Sequence, residues 1–340
     1  MTETQNEQST AGTFFSRNRS LIIGGVILVA VVLYFYNQNP TTTEAVLASA
    51  LRHSTPLVLG ALCGLIGERS GIINIGIEGQ MLMAAFLSFI TSSFTNSIGM
   101  GILVGLLTGA LLGLLLAFMS VTLKVDQIIG GTVINILALG ITGYFYQAGL
   151  TTGGKLPPID IPVLSEIPII GRVFFSNPPI TYVTIILVFV VHYVLFYTKW
   201  GLRTRAVGEH PRAADTVGVN VFNIRYINTV IAGAIGGLAG AFLTLEAVGS
   251  FERAMTNGRG FVALAVMIFG KWTPLGSWGA ALLFGLATAM QTQLQFAGTI
   301  NIPHQFIGMI PYVLTIAVLA GFVGRSRPPA AEGVPYEKEG

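Results

Sequence analysis

The sequence AVLASALRHSTPLVLGALCGLIGERSGIINIGIEGQMLMAAFLSFITSSFT occupies residues 45–95 and consists of two long apolar runs separated by a glycine-rich string. A membrane helix needs roughly 20 apolar residues to cross a hydrocarbon core about 30 Å thick, and both runs are near this length. The string, residues 67–80, has four glycines in 14 residues, which discourages a regular helix. The stretch therefore predicts two membrane helices joined by a break.

The composition of the whole chain agrees with this interpretation. Of the 340 residues, 52% are hydrophobic and 10% are charged, whereas a soluble domain has about 25% charged residues. The mean hydropathy of +0.72 excludes both a soluble domain and a disordered chain. The net charge of +3 comes from basic residues between apolar runs, where they report orientation, so we expect no nucleic-acid binding. The chain is predicted to be an all-α polytopic membrane protein.

About ten spans are expected. Basic residues before the first apolar run and after the last place both termini in the cytoplasm, which requires an even number of crossings. Nine runs are clear, and the tenth crossing is assigned to the short segment 255–271. The first run is taken as an uncleaved span and not as a signal peptide. The nine runs lie at about 21–37, 45–66, 78–95, 98–122, 127–150, 179–198, 226–249, 277–297 and 303–323.

The distribution of basic residues predicts the orientation. With ten crossings, 13 of the 18 Lys and Arg residues fall on the cytoplasmic side, four fall outside and Arg52 lies within a span. The loop 199–225 is then cytoplasmic and the loop 151–178 faces outward. The predicted organisation is a cytoplasmic tail 1–20, a membrane domain 21–323 and a second cytoplasmic tail 324–340.

Two segments are predicted to be broken or re-entrant, near 67–77 and 255–276. Non-helical backbone at membrane depth is tolerated where protein or a water-filled cavity satisfies its amides, and transporters place such breaks along their pathways. A third glycine pattern, Gly101, Gly105, Gly109 and Gly113, lines one helix face and predicts close packing on a neighbouring helix.

Polar groups inside the spans are the candidates for a solute pathway, because buried charges and amides are costly in a membrane. Glu246 is expected toward the outer face, where it can pair with Arg52, and Glu78 is expected near the inner face, where it can cap the first break. The alternative for each is a purely structural role as an ion pair, a helix cap or a bond between helices. The pathway candidates are Asn74, Glu78, Asn135, Glu246, Gln291 and Gln295.

The loop 199–225 predicts a short helix of about seven residues, since Pro211 suits a first helical position and Gly218 suits the residue after a helix end. Ala213, Ala214 and Val217 give this helix a small apolar face for a partner protein. The alternative is a helix that rests on its own bundle or on the lipid surface.

The sequence offers no source of energy. Gly153-Gly154-Lys155 is followed by Leu156 and not by Ser or Thr, so it is not a phosphate-binding loop. We expect no catalytic activity, no metal site and no cofactor. The chain is then either a secondary transporter or channel, or a subunit whose ATPase is a separate protein.

The string 67–80 and the loop 201–221 together resemble the membrane permeases of bacterial ABC importers in the branched-chain amino acid and sugar permease group. Within that group, the pattern Glu-Arg-Ser-Gly-x-x-Asn-Ile-Gly-x-Glu-Gly resembles the nucleoside permeases, which are similar to simple-sugar permeases. The similarity extends from about Thr43 to Val323. It implies a multi-pass protein of the bacterial plasma membrane that imports nucleosides, with simple sugars or branched-chain amino acids as the alternative solutes.

The resemblance also implies partners: a cytoplasmic ABC ATPase, a second and paralogous permease, and a solute-binding protein. ATP hydrolysis is then expected in the partner subunit. The residues that the resemblance assigns to ATPase coupling are Gly208, Glu209, His210, Pro211, Arg212, Ala213, Ala214, Asp215, Val217 and Gly218.

Overall fold

The computed structural model describes residues 30–147, 149–152, 154–297, 304–311, 313 and 326–338. These residues are mostly helical. Residues 30–38 are helical, and the helices that follow them are α1 Pro40–Glu68, α2 Ile77–Thr95, α3 Ile98–Ala117, α4 Gln127–Tyr144, α5 Ile170–Phe174, α6 Pro179–Tyr197, α7 Lys199–Glu209, α8 Pro211–Thr216, α9 Val221–Ala241, α10 Arg259–Phe269, α11 Pro274–Ala297 and α12 His304–Gly308. Two of these helices continue as π-helical turns: Phe118–Thr122 follows α3, and Phe242–Val248 follows α9.

Six helices of the described part are long and apolar enough to cross a membrane: α1, α2, α3 with its π-turn, α4, α6 and α9 with its π-turn. The predicted all-α polytopic class is confirmed. The predicted runs 21–37 and 303–323 lie largely outside the described residues, so the number ten stays a prediction. The predicted tenth segment forms the 11-residue helix α10.

Strands are confined, in the described residues, to one small hairpin in the predicted outer loop. Ile159–Asp160 (β1) pairs antiparallel with Ser176–Asn177 (β2), and a 3₁₀ turn and α5 lie between them. Arg172 of this loop forms a salt bridge of 3.4 Å with Glu44 of α1. The loop is therefore folded against the end of α1.

Helix α1 is the centre of the bundle. Asn39 caps its start, because the Asn39 side chain accepts a hydrogen bond from the Thr42 amide, and Pro40 occupies the first turn where no amide partner is needed. From Ser54 onward every residue of α1 is buried, and the main hydrophobic cluster surrounds this half of the helix. Elements that contact the second half of α1 therefore lie in the interior of the bundle.

The predicted glycine face of α3 packs on α9. A Cβ atom added to Gly109 would lie 2.1 Å from the Gly233 carbonyl oxygen, and one added to Gly105 would lie 3.4 Å from the Gly237 carbonyl oxygen. Two helix backbones come this close only when neither carries a side chain at the contact. The expected close packing is confirmed.

The sequence predicted a loop over residues 199–225, but the structure shows that this segment is mostly helical. Thr198 caps α7 by accepting a hydrogen bond from the Gly201 amide, and α9 already begins at Val221. The predicted short helix exists as α8, which has six residues and ends at Thr216. Its neighbour α7 supplies the support that so short a helix needs.

Candidate functional site

The first break carries the chain back into the bundle. Helix α1 ends at Glu68, residues 69–76 are not helical, and α2 begins at Ile77. The Ile77 side chain lies within 3.6 Å of the position that a Cβ atom on Gly60 would occupy. At a rise of 1.5 Å per residue, Gly60 lies about 12 Å from the end of α1 at Glu68. A Cβ atom on Gly79 would meet the Asn135 backbone at 2.8 Å, in the middle of α4. Helix α2 therefore starts deep inside the bundle, as a re-entrant segment does.

The second break mirrors the first. The predicted second segment, 255–276, is helical over α10, which runs beside α1, and the chain is irregular before and after this helix, at residues 249–258 and 270–273. A Cβ atom on Gly60 would lie 2.7 Å from the Ala263 Cβ, and one on Gly64 would lie 3.0 Å from the Met267 sulfur. Helix α10 therefore runs in the direction of α1, from the interior to the end of the bundle where Glu68 lies. That end is the one predicted to be cytoplasmic.

Glu78 joins the two breaks. Its two carboxylate oxygens accept hydrogen bonds from the Gly258 amide at 2.8 Å and the Gly260 amide at 2.6 Å, which are orphan donors at the start of α10. Gly260 must be glycine, because a Cβ atom there would lie 2.5 Å from the Glu78 amide nitrogen. The prediction that Glu78 caps the first break is wrong about its partners: Glu78 lies in the first turn of α2, but its hydrogen bonds go to the start of α10. Residues 69–76 return the chain to the depth at which α10 begins.

Asn135 holds the first break in place. Its side-chain oxygen accepts a hydrogen bond of 2.7 Å from the Gly79 amide, and its side-chain nitrogen donates one of 3.1 Å to the Ile75 carbonyl. The Asn135 amide thus satisfies backbone groups that the interrupted helix leaves unpaired.

Asn74 is fully buried in a polar cluster. Its side-chain nitrogen donates to the Gln80 side-chain oxygen at 3.0 Å and lies 3.4 Å from the Cys63 sulfur. The Asn74 oxygen and the Gln80 nitrogen are both buried without a hydrogen-bond partner. Buried polar atoms without a hydrogen-bond partner are costly. This cluster is therefore the part of the break that has one acceptor and one donor still available for a hydrogen bond. The sequence analysis selected Asn74 as a pathway candidate but not Gln80, although Gln80 is the last residue of the string 67–80.

A cavity of about 790 Å³ lies between the second break, α1 and the predicted outer loop. It is lined by charged groups of both signs and by apolar side chains. Arg259, which follows the amide that Glu78 caps, forms part of its lining, so the junction of the two breaks lies at one end of the cavity. The titratable side chains of the wall are Arg52, His53, Lys155, Glu246, Glu252 and Arg259.

Glu246 lines this cavity together with Arg52, and in the described structure the two charges interact without forming a salt bridge. Its carboxylate accepts hydrogen bonds from the Ile180 amide at 2.7 Å and from the Thr181 hydroxyl at 2.6 Å. It therefore caps the start of α6, where the helix dipole favours a negative charge. The expected pair with Arg52 exists only as an interaction between nearby charges, because the carboxylate oxygens are bonded to the start of α6.

Gln291 and Gln295 lie apart from this junction. Both are half-buried near the end of α11, and the Gln291 amide lies 3.9 Å from a Cβ position on Gly308 of α12. The structure therefore brings Glu78 and Asn135 together at the first break, adds Asn74 nearby, places Glu246 in the cavity wall, and leaves the two glutamines at a different place.

The two breaks also meet at the predicted cytoplasmic end. The Trp272 indole nitrogen donates to the Glu68 carboxylate at 2.5 Å, and the Arg69 guanidinium donates two hydrogen bonds to the Trp272 carbonyl at 3.0 and 2.7 Å. Burial lowers the pKa of Arg69. Trp272 thus joins the end of α1 to the turn after α10, a contact that the sequence did not indicate.

The predicted coupling residues are divided by the structure. Ala214 is only 3% exposed and belongs to a buried cluster within the chain, whereas Val217 is 78% exposed. Gly208 is buried, and it packs so closely on the first break that a Cβ atom there would lie 2.3 Å from the Arg69 carbonyl oxygen. The expectation that Ala214 faces a partner together with Val217 is wrong. The residues of this set that are exposed are Glu209, His210, Arg212, Ala213, Val217 and Gly218.

Long apolar helices, two interrupted segments that meet in the interior and a polar cavity beside them define a multi-pass membrane protein with the features of a transporter. Residues 46–319 match the family described as the permease component of the branched-chain amino acid transport system. The chain belongs to this family of ABC transporter permeases.

Named relatives support the same assignment. The chain is 40% identical to the guanosine ABC transporter permease protein NupQ of Bacillus subtilis, over 86% of this chain and 96% of the relative. It is also 40% identical to the nucleoside ABC transporter permease protein NupC of Lactococcus lactis, over 87% and 98%. Identity to the putative glucose ABC transporter permease protein TsgC13 of Haloferax volcanii is 34%, over 82% and 92%. No solved structure matches the chain.

Proposed function

We propose that this chain is the permease subunit of an ATP-driven importer of nucleosides. The observation that carries the proposal is the cavity beside the junction of the two breaks. Its volume of about 790 Å³ lies within the range of about 300–1,000 Å³ for small-molecule sites. Its wall combines apolar side chains with polar groups, as an amphipathic nucleoside requires. The 40% identity to two permeases named for guanosine and nucleosides favours this solute over amino acids.

The pathway in this proposal runs from the cavity through the junction at Glu78. Glu78, Asn135 and Glu246 hold the walls and the interrupted helices in position, because their polar atoms are used by backbone amides and carbonyls. Asn74 retains a side-chain oxygen for a passing solute. Gln291 and Gln295 have no contact with this route in the described structure, and we give them no part in it.

The proposed partners are an ABC ATPase, a second permease that is a paralogue, and a solute-binding protein. The ATPase is expected to contact the exposed side of α8 and the residue that follows it, a surface that includes Ala213 and Val217. Its docking would be cytoplasmic, in line with the predicted orientation in which both termini and the segment 199–225 face the cytoplasm of a bacterium. Co-purification of the full complex in mild detergent tests these partners together.

Uptake by the reconstituted complex tests the solute. We expect ATP-dependent accumulation of labelled guanosine, reduced by excess unlabelled adenosine but not by ribose, glucose or leucine. Ser49→Trp, which places an indole in the cavity wall, should reduce uptake at least tenfold. Leu107→Trp is the matched control, because Leu107 is 54% exposed on the apolar surface of α3 and its replacement should leave uptake unchanged. Guanosine uptake that ribose abolishes, or that Ser49→Trp leaves intact, would contradict the proposal.

A further inference from the structure

The C-terminal segment, residues 326–338, does not extend away from the bundle but packs on its predicted cytoplasmic end. The Ala331 amide donates to the Gly208 carbonyl of α7 at 2.9 Å, and the Gly333 amide donates to the Gly71 carbonyl of the first break at 3.2 Å. The Ala330 amide donates to the Glu209 carboxylate at 3.2 Å. The segment is therefore bonded to α7 on one side and to the first break on the other. We call it the C-terminal strap.

Buried side chains strengthen both attachments. Arg225 is only 1% exposed, and its guanidinium donates to the Val334 carbonyl of the strap at 2.9 Å and to the Ser70 carbonyl of the break at 3.2 Å. An arginine buried to this degree is expensive unless its donors are used, and two of its three nitrogens, Nε and Nη1, are used here while Nη2 has no partner in the described part of the chain. Arg225 therefore ties the strap and the break to each other.

The strap also reaches α8. Tyr336 is 7% exposed and shares a buried apolar cluster with Ala214 of α8 and Val207 of α7. Its ring meets the Phe222 ring edge-on at a centroid distance of 5.4 Å. A displacement of α8 would act directly on this cluster, because closely packed interiors transmit strain.

The third attachment is a pair of carboxyl groups. Glu332 of the strap lies close enough to Glu68 at the end of α1 for each carboxyl group to act on the other, and Glu332 Oε2 is buried without a hydrogen-bond partner in the described part of the chain. Glu68 also accepts the hydrogen bond from the Trp272 indole. Glu332 therefore reaches the place where the two breaks are joined.

We propose that the C-terminal strap is a coupling element that carries the movement of α8 to the first break, with Glu332 as a positioning residue. This inference rests on the proposed function, in which an ATPase moves α8. The strap contacts α8 through Tyr336 and the break through Gly333, so it connects the two within a single run of four residues. An ATPase that pushes on the exposed side of α8 displaces the strap, and the strap displaces the backbone of residues 70–73.

Removal of the strap gives the first test. A chain that ends at residue 325, assembled with its ATPase and compared with the full-length complex, should retain ATPase binding and ATP hydrolysis, because the exposed residues of α8 are unchanged. Solute uptake per ATP hydrolysed should fall at least tenfold. Tyr336→Ala, which keeps the rest of the strap, should lower the same ratio at least threefold. An unchanged ratio in both variants would overturn the proposal, and so would loss of ATPase binding, since the strap would then be a docking surface.

Hydrogen exchange of the isolated chain separates this proposal from the proposed function. It needs no ATPase and no solute. Deletion of residues 326–340 should increase exchange at the amides of residues 71–73 at least tenfold, while amides in the middle of α3 should be unaffected. If the full-length complex fails to import nucleosides but exchange responds as expected, the proposed function fails and the strap's contact with the break stands. Equal exchange in both chains would refute the strap.

The pH dependence of coupling tests Glu332. Burial raises the pKa of Glu332, and its interaction with Glu68 opposes this only in part. The docked strap therefore binds more protons than the released strap between the ordinary pKa of a glutamate and this raised pKa, so docking weakens as pH rises through that window. The charged groups on the elements packed against the strap are Glu68 of α1, Arg69 of the break, Lys124 after the π-turn of α3, Glu209 of α7, Arg212 of α8 and Arg225 of α9.

Uptake per ATP should accordingly fall as pH rises in the wild-type complex. Glu332→Gln keeps a hydrogen-bonding side chain without the second charge, so it should retain uptake within twofold at neutral pH and lose this dependence. Glu332→Ala should lower the ratio at least threefold at every pH. Glu337→Gln is the matched control on the same strap, because Glu337 is exposed and pairs with Lys124. A Glu332→Gln profile that follows the control would exclude a positioning role for Glu332.

Discussion

Replacement of Glu78 by glutamine should loosen the start of α10. The carboxylate accepts two amide hydrogen bonds there, from Gly258 and Gly260, while the glutamine side chain offers one acceptor and turns an NH₂ group toward the other amide. Loss of one hydrogen bond to a charged group costs about 1.5–3 kcal/mol. Loss of the charge at the helix N-terminus adds about 0.3–1 kcal/mol. The variant should therefore be less stable by about 2–4 kcal/mol.

Thermal unfolding of the purified chain in detergent measures this effect. At about 2 °C per kcal/mol for a large chain, the midpoint should fall by about 4–8 °C. Hydrogen exchange should rise at residues 258–262 and not in α3. The matched control is Glu166→Gln, at an exposed position of the predicted outer loop, which should leave the midpoint within 1 °C or about 0.5 kcal/mol, as surface changes do. A Glu78→Gln midpoint equal to that of the control would refute the cap.

Three further results are expected. Gly109→Ala should destabilise the chain by about 1–3 kcal/mol in the same unfolding assay, because the new methyl group overpacks against α9. Gly140→Ala is the control: it has open space around the new methyl group and should be neutral or stabilising by up to about 1 kcal/mol. A cysteine at the exposed Thr151 should react with an impermeant maleimide on intact cells and one at the exposed Arg203 should not, and the reverse pattern would invert the topology. Val217→Asp should reduce ATPase co-purification at least tenfold without changing the unfolding midpoint, because Val217 is 78% exposed, and undiminished co-purification would remove α8 from the docking surface.

The sequence predicted those features that depend on local composition. The apolar runs predicted helices α1 to α4, and the glycines of the string 67–80 predicted the first break. Both features depend only on residues that are neighbours in the sequence. The spacing of Gly105 and Gly109 gave the face of α3 that packs on α9, since residues four apart share a helix face.

Contacts between distant residues were beyond that reasoning. Glu78 was recognised as a costly charge, but its partners lie 180 and 182 positions away along the chain, and only the fold brings them together. Ala213 and Ala214 are chemically alike, yet one is exposed and the other is covered by Tyr336 of the strap. The polar composition of the C-terminal tail is typical of a solvated segment, and its attachment depends on the buried Arg225, whose donors have no pattern in sequence.

The meeting of the two breaks explains why the junction depends on a single carboxylate. Helices α2 and α10 run in opposite directions from the same place, so both N-termini, with their free amides and positive dipole ends, face one another. Glu78 belongs to the first turn of α2 and caps α10, and its negative charge therefore stabilises both helix ends at once. Any side chain at Gly260 would push the two helix ends apart. Loss of the Glu78 charge would leave the two positive helix N-termini to repel each other. A movement that separates α2 from α10 must break the two hydrogen bonds of Glu78, so the proposed coupling predicts that displacement of the first break acts at this junction.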